Sequence, residues 1–234
     1  MDRRRFLEAC SLCSAAALMR ALPARAAEMQ DFPRATLVDA AGVPLRASAV
    51  GTDQALVFAY PYAGVPCFLI NLGERHPGVT ADLTGVDGNA YAAPAGVGPK
   101  GNLVAFIAIC THQMTYPTPE VSAFRYAAGD SDLAGVPGRI VCCAHASVFD
   151  PASGGQTVSG PAPNPLLPVR LAHDPKTDSL AATGTIDGGF FERFFAAYKP
   201  DLIKRFGPGG YRQDVGETST AIPLDQYSAF VLGC

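Results

Sequence analysis

The sequence predicts an all-β domain followed by a short helical extension, and three features carry that prediction. Short runs of Val, Ile, Leu and aromatic residues recur between Gly, Pro and Asp breakers, as strands do. The 24 Gly and 20 Pro are scattered, with no internal repeat or low-complexity block, which suits many strands joined by turns. One late stretch has the helical period instead. With 234 residues, 48% hydrophobic and 17% charged, the chain can build one substantial packed domain with an appendage.

The first 27 residues read as an export signal. Asp2-Arg3-Arg4-Arg5-Phe6-Leu7-Glu8 resembles a twin-arginine motif, with the pair at Arg3 and Arg4. An apolar stretch of 11 residues, 9–19, follows, and Ala24-Arg25-Ala26 offers a small-residue cleavage site. A spanning helix needs about 20 apolar residues, so cleavage and release into the periplasm is expected, with retention as a membrane anchor the alternative. Removing residues 1–26 takes away five Arg and two acids and leaves a net charge of −6. That balance disfavours nucleic acid or an anionic membrane surface as a partner.

Beyond Phe32, strands are expected over 35–39, 55–60, 67–72 and 103–109. The Gly/Pro/Ala/Asp-rich stretch 76–101 reads as a long excursion between the last two. The run 103–109 delivers the chain into Cys110, a rigid base for a metal loop. Residues 138–141 form the strand into Cys142. Runs 167–171 and 179–183 bracket His173-Asp174-Pro175-Lys176-Thr177-Asp178, a hairpin signature. After Asp187, Phe190, Phe191, Phe194, Phe195 and Tyr198 recur at helical spacing until Pro200 stops the run. Five aromatics on one helical face must be buried, either on their own domain or against a larger subunit.

The chemistry lies in Cys110-Thr111-His112 and Cys142-Cys143-Ala144-His145. Each segment supplies one Cys and one His, so each can give a thiolate to one iron and an imidazole to a second, the ligand set of a 2Fe–2S cluster in which two His replace two Cys. Tetrahedral zinc takes the same donors, but the usual zinc finger pairs Cys with Cys and His with His. Ala146-Ser147-Val148-Phe149-Asp150 follows His145, and ten residues on comes Gly160-Pro161-Ala162-Pro163.

On these residues the chain resembles Rieske iron–sulfur proteins, whose second ligand loop reads C-x-x-H-x-S-x-[YF]-D before a Gly/Pro-rich covering loop. The resemblance implies an antiparallel β sandwich over 28–187, with a cluster-binding lobe over about 110–163 and a helical extension over 188–234. It implies that Cys110 and Cys142 hold the inner iron and His112 and His145 the outer one. Around them, Ser147 should reach a bridging sulfide, Phe149 stands where high-potential members have Tyr, and Gly160, Pro161 and Pro163 belong to the covering loop. Without a Tyr hydroxyl at 149, the potential is expected in the lower or middle part of about −150 to +300 mV. Imidazole nitrogens not bound to iron can release protons on oxidation, so the potential should fall at alkaline pH. Since 29 residues separate His112 from Cys142, an insertion is expected over 116–138.

Seven cysteines are present. Cys10 and Cys13 fall in the signal. The positions that link the two ligand loops in many Rieske proteins are here Thr115 and Ala144, so that disulfide is expected to be absent. Cys143 begins its own C-x-H, and the family pattern, which places the ligand three residues before His, favours Cys142. Cys67 reads as a buried small hydrophobe, Cys234 as a free thiol, and His76 and His173 as surface residues. No His follows His173, which excludes a downstream two-His-one-carboxylate iron site and hence a ring-hydroxylating oxygenase.

Within the family the chain looks most like the small subunit of arsenite oxidase, over about 55–187. The matching pieces are Phe58-Ala59-Tyr60-Pro61, Pro66-Cys67 opening a strand that ends at Leu72-Gly73, and Gly96-Val97-Gly98-Pro99. That resemblance implies a subunit without its own substrate site, taking electrons from a large molybdopterin subunit and passing them to a periplasmic cytochrome c or cupredoxin. The alternative is the Rieske subunit of a cytochrome bc-type quinol-oxidising complex, with the N-terminal segment kept as an anchor.

Overall fold

The computed structural model describes residues 29–78 and 82–234, so the expected export signal lies outside the described residues. The strands are β1 (Gln30–Val38), β2 (Leu56–Ala59), β3 (Pro66–Asn71), β4 (Leu83–Thr84), β5 (Ala90–Tyr91), β6 (Leu103–Ile107), β7 (Phe124–Ala127), β8 (Arg139–Cys142), β9 (Ser147–Asp150), β10 (Gln156–Ser159), β11 (Pro168–Asp174) and β12 (Ser179–Thr185). Helices α1 (Phe190–Ala197) and α2 (Lys199–Phe206) follow, then β13 (Thr218–Thr220), β14 (Ile222–Pro223) and the short α3 (Leu224–Tyr227). No helix among the described residues is long and apolar enough to cross a membrane.

The larger layer is one eight-stranded sheet in the order β13-β1-β12-β11-β6-β3-β2-β14. It curls nearly into a barrel, and the tail draws its edges together. β13 pairs with β1, while β14, two residues further on, pairs with β2. Ser219 bridges what remains of the seam: its hydroxyl donates to Ala59 O at 2.7 Å and accepts from Ala59 N–H at 3.1 Å. One side chain thus makes the two bonds that a backbone neighbour would make. The expected helical extension is therefore partly strand, and it is part of the sheet.

Strands β3 and β6 are buried on both faces, which is why they read as unbroken apolar runs. Alternation sorts their side chains. Cys67, Leu69, Leu103, Ala105 and Ile107 point into the barrel core, whereas Phe68, Ile70, Val104 and Phe106 point to the opposite face. Against that second face packs a four-stranded antiparallel lobe, β10-β9-β8-β7, within the span expected for the cluster lobe. The supposed insertion contributes β7, the lobe's edge strand, and the 76–101 excursion holds the small β4–β5 ribbon.

Helix α1 buries its aromatic face on its own domain. Phe190, Phe191, Phe194 and Phe195 are all buried in the barrel core, each worth roughly 2–3 kcal/mol relative to exposure. The Asp187 carboxylate accepts from Phe191 N–H at 2.9 Å and caps the first turn. Pro200 sits in the first turn of α2, where its missing N–H costs nothing.

Replacing Ser219 with Ala leaves both polar groups of the Ala59 peptide without their partner. Urea unfolding should show a loss of about 1–3 kcal/mol; an unchanged midpoint would mean that the seam is held by apolar contacts alone.

Candidate metal centre

Strand β6 carries the inward phase of its second face on through Ala108 to Cys110, so period-two geometry alone delivers that thiol into the core beneath the lobe. Strand β8 ends at Cys142, which faces the same core. Both thiols lie there, fully buried and close enough for each to act on the other's proton. The Cys110 thiol is the main reason the Cys142 thiol is brought below its usual value against the effect of burial, helped by the N–H groups of His145 and Ala144 directed at its sulfur. The Cys110 thiol is raised, first by its Cys142 neighbour and then by burial. Once the first proton has left, the second is held hard.

The two loops are built alike. Met114 N–H donates to Cys110 O at 2.8 Å, and Ala146 N–H donates to Cys142 O at 2.9 Å. Met114 and Ala146, each four residues past its cysteine, lie in the left-handed region with φ of +56° and +59°. Cys110 N–H then bonds Thr115 O at 2.8 Å, and Ser147 pairs with Cys142 across the β8–β9 hairpin. In each loop the chain leaves a cysteine, makes one tight turn, and returns a hydroxyl residue beside it.

The histidines ride on the outer side of these turns. Their rings meet edge to face, 86° apart in plane, with centroids separated by 5.0 Å. His145 is exposed and His112 half-buried, while His112 Nδ1 is buried without a hydrogen-bond partner. Among the described residues no three His, Cys, Asp or Glu side chains gather around one point. The donors form two pairs instead, sulfur with sulfur inside and imidazole with imidazole outside.

The surroundings suit a two-metal group. Ser147 is buried and near enough to Cys110 to favour its thiolate, yet its hydroxyl has no partner in hydrogen-bond geometry. An unpartnered buried hydroxyl beside the thiols and an unpartnered buried imidazole nitrogen on the Cys110 loop fit a metal–sulfide group that would engage both. Phe149 is buried on the floor of the site, edge-on to Phe124 at 5.9 Å, and offers no donor. Asp150 explains the acid that ends the motif: it pairs with Arg75 and Arg139 and caps Ala152 N–H, tying β9 to β8 and to the chain after β3. Burial would raise its carboxyl, but Arg139, Arg75 and Ser153 hold it below the usual range.

The segment expected to be a covering loop has a division of labour the sequence does not announce. Pro161 and Pro163 face solvent, and Ala162 points into the core with Phe149. Gly160, at φ +85°, touches the second loop so closely that a Cβ would stand 2.2 Å from Ala146 O. Asn164 O accepts hydrogen bonds from Thr111 at 2.6 Å and Thr157 at 2.9 Å, fastening the cover to the first ligand loop. From α1's C-terminal end, Tyr198 donates to Gln113 O at 3.2 Å. Thr111, Thr115, Asn164 and Tyr198 escape motif reading because their contacts cross between segments; only the recurring spacing of cysteine and hydroxyl residue, five apart in both loops, was there to be noticed.

The remaining cysteines resolve simply. Cys143 and Cys234 form a disulfide with Cα atoms 5.7 Å apart, which corrects the reading of Cys234 as a free thiol. Of the adjacent pair in the second loop, only Cys142 keeps a thiol. Cys67 is buried, its thiol donating to Tyr60 O at 3.2 Å. His76 is exposed, and His173 is partly buried against Asp178 at 2.9 Å.

No protein-family model matches the chain. Among solved structures, it is similar to the soluble domain of the Rieske protein II (soxF) from Sulfolobus acidocaldarius, with 29% identity over 66% of this chain and 78% of that one and a TM-score of 0.47.

The disulfide closes a loop of 91 residues, for which chain entropy gives about 4–5 kcal/mol. Cys234→Ser should lose up to that amount in denaturant unfolding, and a dithiol should bring the parent protein down to the variant while leaving the variant unmoved. Gly160→Ala should cost more than about 2 kcal/mol, since it adds a backbone clash to a left-handed conformation. Faster proteolysis of the covering loop would be its signature; an unaltered digestion pattern would show that the contact with Ala146 is slack.

Proposed function

We propose that the chain is an exported electron carrier of the Rieske type, holding a 2Fe–2S group through Cys110, Cys142, His112 and His145. The observation that carries this reading is the arrangement of donors: a buried dithiol and an outward imidazole pair on two loops of one design. Grouping in pairs suits two metal atoms better than one tetrahedral ion, which would draw all four donors to a point. When bound, the group supplies a one-electron couple whose potential the imidazoles raise above that of all-cysteine clusters.

The chain's own residues hold and insulate that site. Cys110 and Cys142 anchor it from within, on strands that cannot move without disturbing two cores. Phe68, Phe124 and Phe149 keep water from the sulfur side. His145 reaches the surface and offers a partner the short way in or out for an electron.

For that partner the reading is a molybdopterin subunit of the arsenite-oxidase kind, with a periplasmic cytochrome c or cupredoxin as acceptor. It is supported by the segments 58–61, 66–73 and 96–99 and by the twin-arginine signal, a route suited to a protein folded around its cofactor before export. Native purification distinguishes the possibilities: equimolar molybdenum with a large subunit supports it, and b- and c-type cytochromes from membranes would replace it with a quinol-oxidising complex.

The purified chain should contain two iron atoms and two acid-labile sulfides. Cys142→Ser should abolish their incorporation, while Cys143→Ser should load fully though less stably. One zinc per chain in place of iron, or the reverse ranking of the two variants, would remove the proposal.

A further inference from the structure

We propose that Thr115 tunes the centre, its hydroxyl donating a hydrogen bond to the Cys142 sulfur as the counterpart of Ser147 beside Cys110. The inference rests on the two-iron reading above and adds a positioning residue to it. Three observations lead to it. Thr115 stands five residues past Cys110, as Ser147 stands five past Cys142, after turns of the same hydrogen bonding and the same left-handed residue. Each hydroxyl residue is held opposite its own loop's cysteine, Thr115 by the Cys110 N–H bond and Ser147 by strand pairing. Because the two thiols are neighbours in one core, a group opposite one cysteine lies toward the other. Ser147 accordingly lies by Cys110 and Thr115 by Cys142.

The consequence is chemical. Phe149 removes one donor from the sulfur environment, which alone would leave the potential low. A hydroxyl at 115 restores a donor from the opposite loop. Hydrogen bonds to ligand sulfur stabilise the more electron-rich reduced state and so raise the potential. A hydrogen bond to a charged acceptor is strong enough for an effect of roughly tenfold on the ratio of reduced to oxidised protein.

The purely structural role for Thr115 is that of a β-branched filler of the turn, and two near-isosteric variants separate it from the proposed one. Thr115→Val keeps the shape and loses the hydroxyl; Thr115→Ser keeps the hydroxyl and loses the methyl. At a fixed solution potential, Val should reduce the reduced-to-oxidised ratio about tenfold, which is about 59 mV for a one-electron couple, and Ser should stay near the parent. Should the Val protein load poorly, Thr115→Ala gives the same reading without added bulk. A parent-like potential in the variants lacking the hydroxyl, or a drop in Ser as large as in Val, overturns the proposal. Failure of the parent to bind iron and sulfide is a different result: it takes down the two-iron reading and this inference with it.

Discussion

Burial of the Cys110 and Cys142 thiols side by side in one core is the constraint around which the chain is arranged. Two thiols on segments far apart in sequence do not meet in a dry place by default. Burial opposes the charged form of each. The fold answers with backbone donors: the His112 N–H toward one sulfur and the Ala144 and His145 N–H groups toward the other. Those donors exist only because both loops turn tightly right after the cysteine, and the tight turn in turn forces Met114 and Ala146 into left-handed backbone. Non-glycine residues there cost of order 1 kcal/mol each, a cost tolerated where local geometry serves a site.

Positioning the sulfurs to that tolerance requires that β6 and β8 be immobile, and the cores explain why they are. β6 is packed on one side by the barrel interior and on the other by the lobe, so a shift of one residue would turn every side chain to the wrong core. The barrel is itself closed by the tail, through β13, β14 and Ser219. Residues far beyond His145 therefore hold the sheet from which the chain runs into Cys110. Ion pairs play a smaller part: the Asp150 cluster is half-buried and joins three segments, whereas exposed pairs such as Lys100–Glu74 contribute little.

How much of this was legible in the sequence follows from the range of each interaction. The central strands were readable because apolar runs bounded by breakers are local signals, and 67–72 and 103–109 fall within a residue or two of β3 and β6. The gathering of Cys110 with Cys142 and of His112 with His145 was legible because Cys and His at short spacing are rare and chemically specific. Strands β9 and β10 went unread, the first hidden inside the motif and the second too polar to stand out. β7 was read as insertion, since its strand character comes from pairing with β8 rather than from composition. The tail was read as helix, correctly at 190–198, but the three-residue β13 and two-residue β14 are strands only by virtue of the edges they join. Thr115, Asn164 and Cys234 act on partners that only the folded chain brings near.

The placement of the disulfide bears on what sets the geometry of the centre. A bridge between the two ligand loops would fix their separation covalently, whatever the cores did. Here the bridge runs from the second loop to the tail, at Cys143 and Cys234, and the first loop is held by hydrogen bonds from Thr111 to Asn164 and from Tyr198 to Gln113. No covalent link crosses between the loops, so the spacing of the sulfurs is set by the packing of Phe68, Phe106, Phe124 and Phe149 between sheet and lobe. Packing of this density is stiff enough for the task, since interiors resist even a methylene's change in volume. The position where a bridging cysteine would stand is thereby released from holding the loops together. Thr115 occupies it with a hydroxyl, a group that acts on the electron density of the sulfurs, while the tail and the aromatic floor keep them where they are.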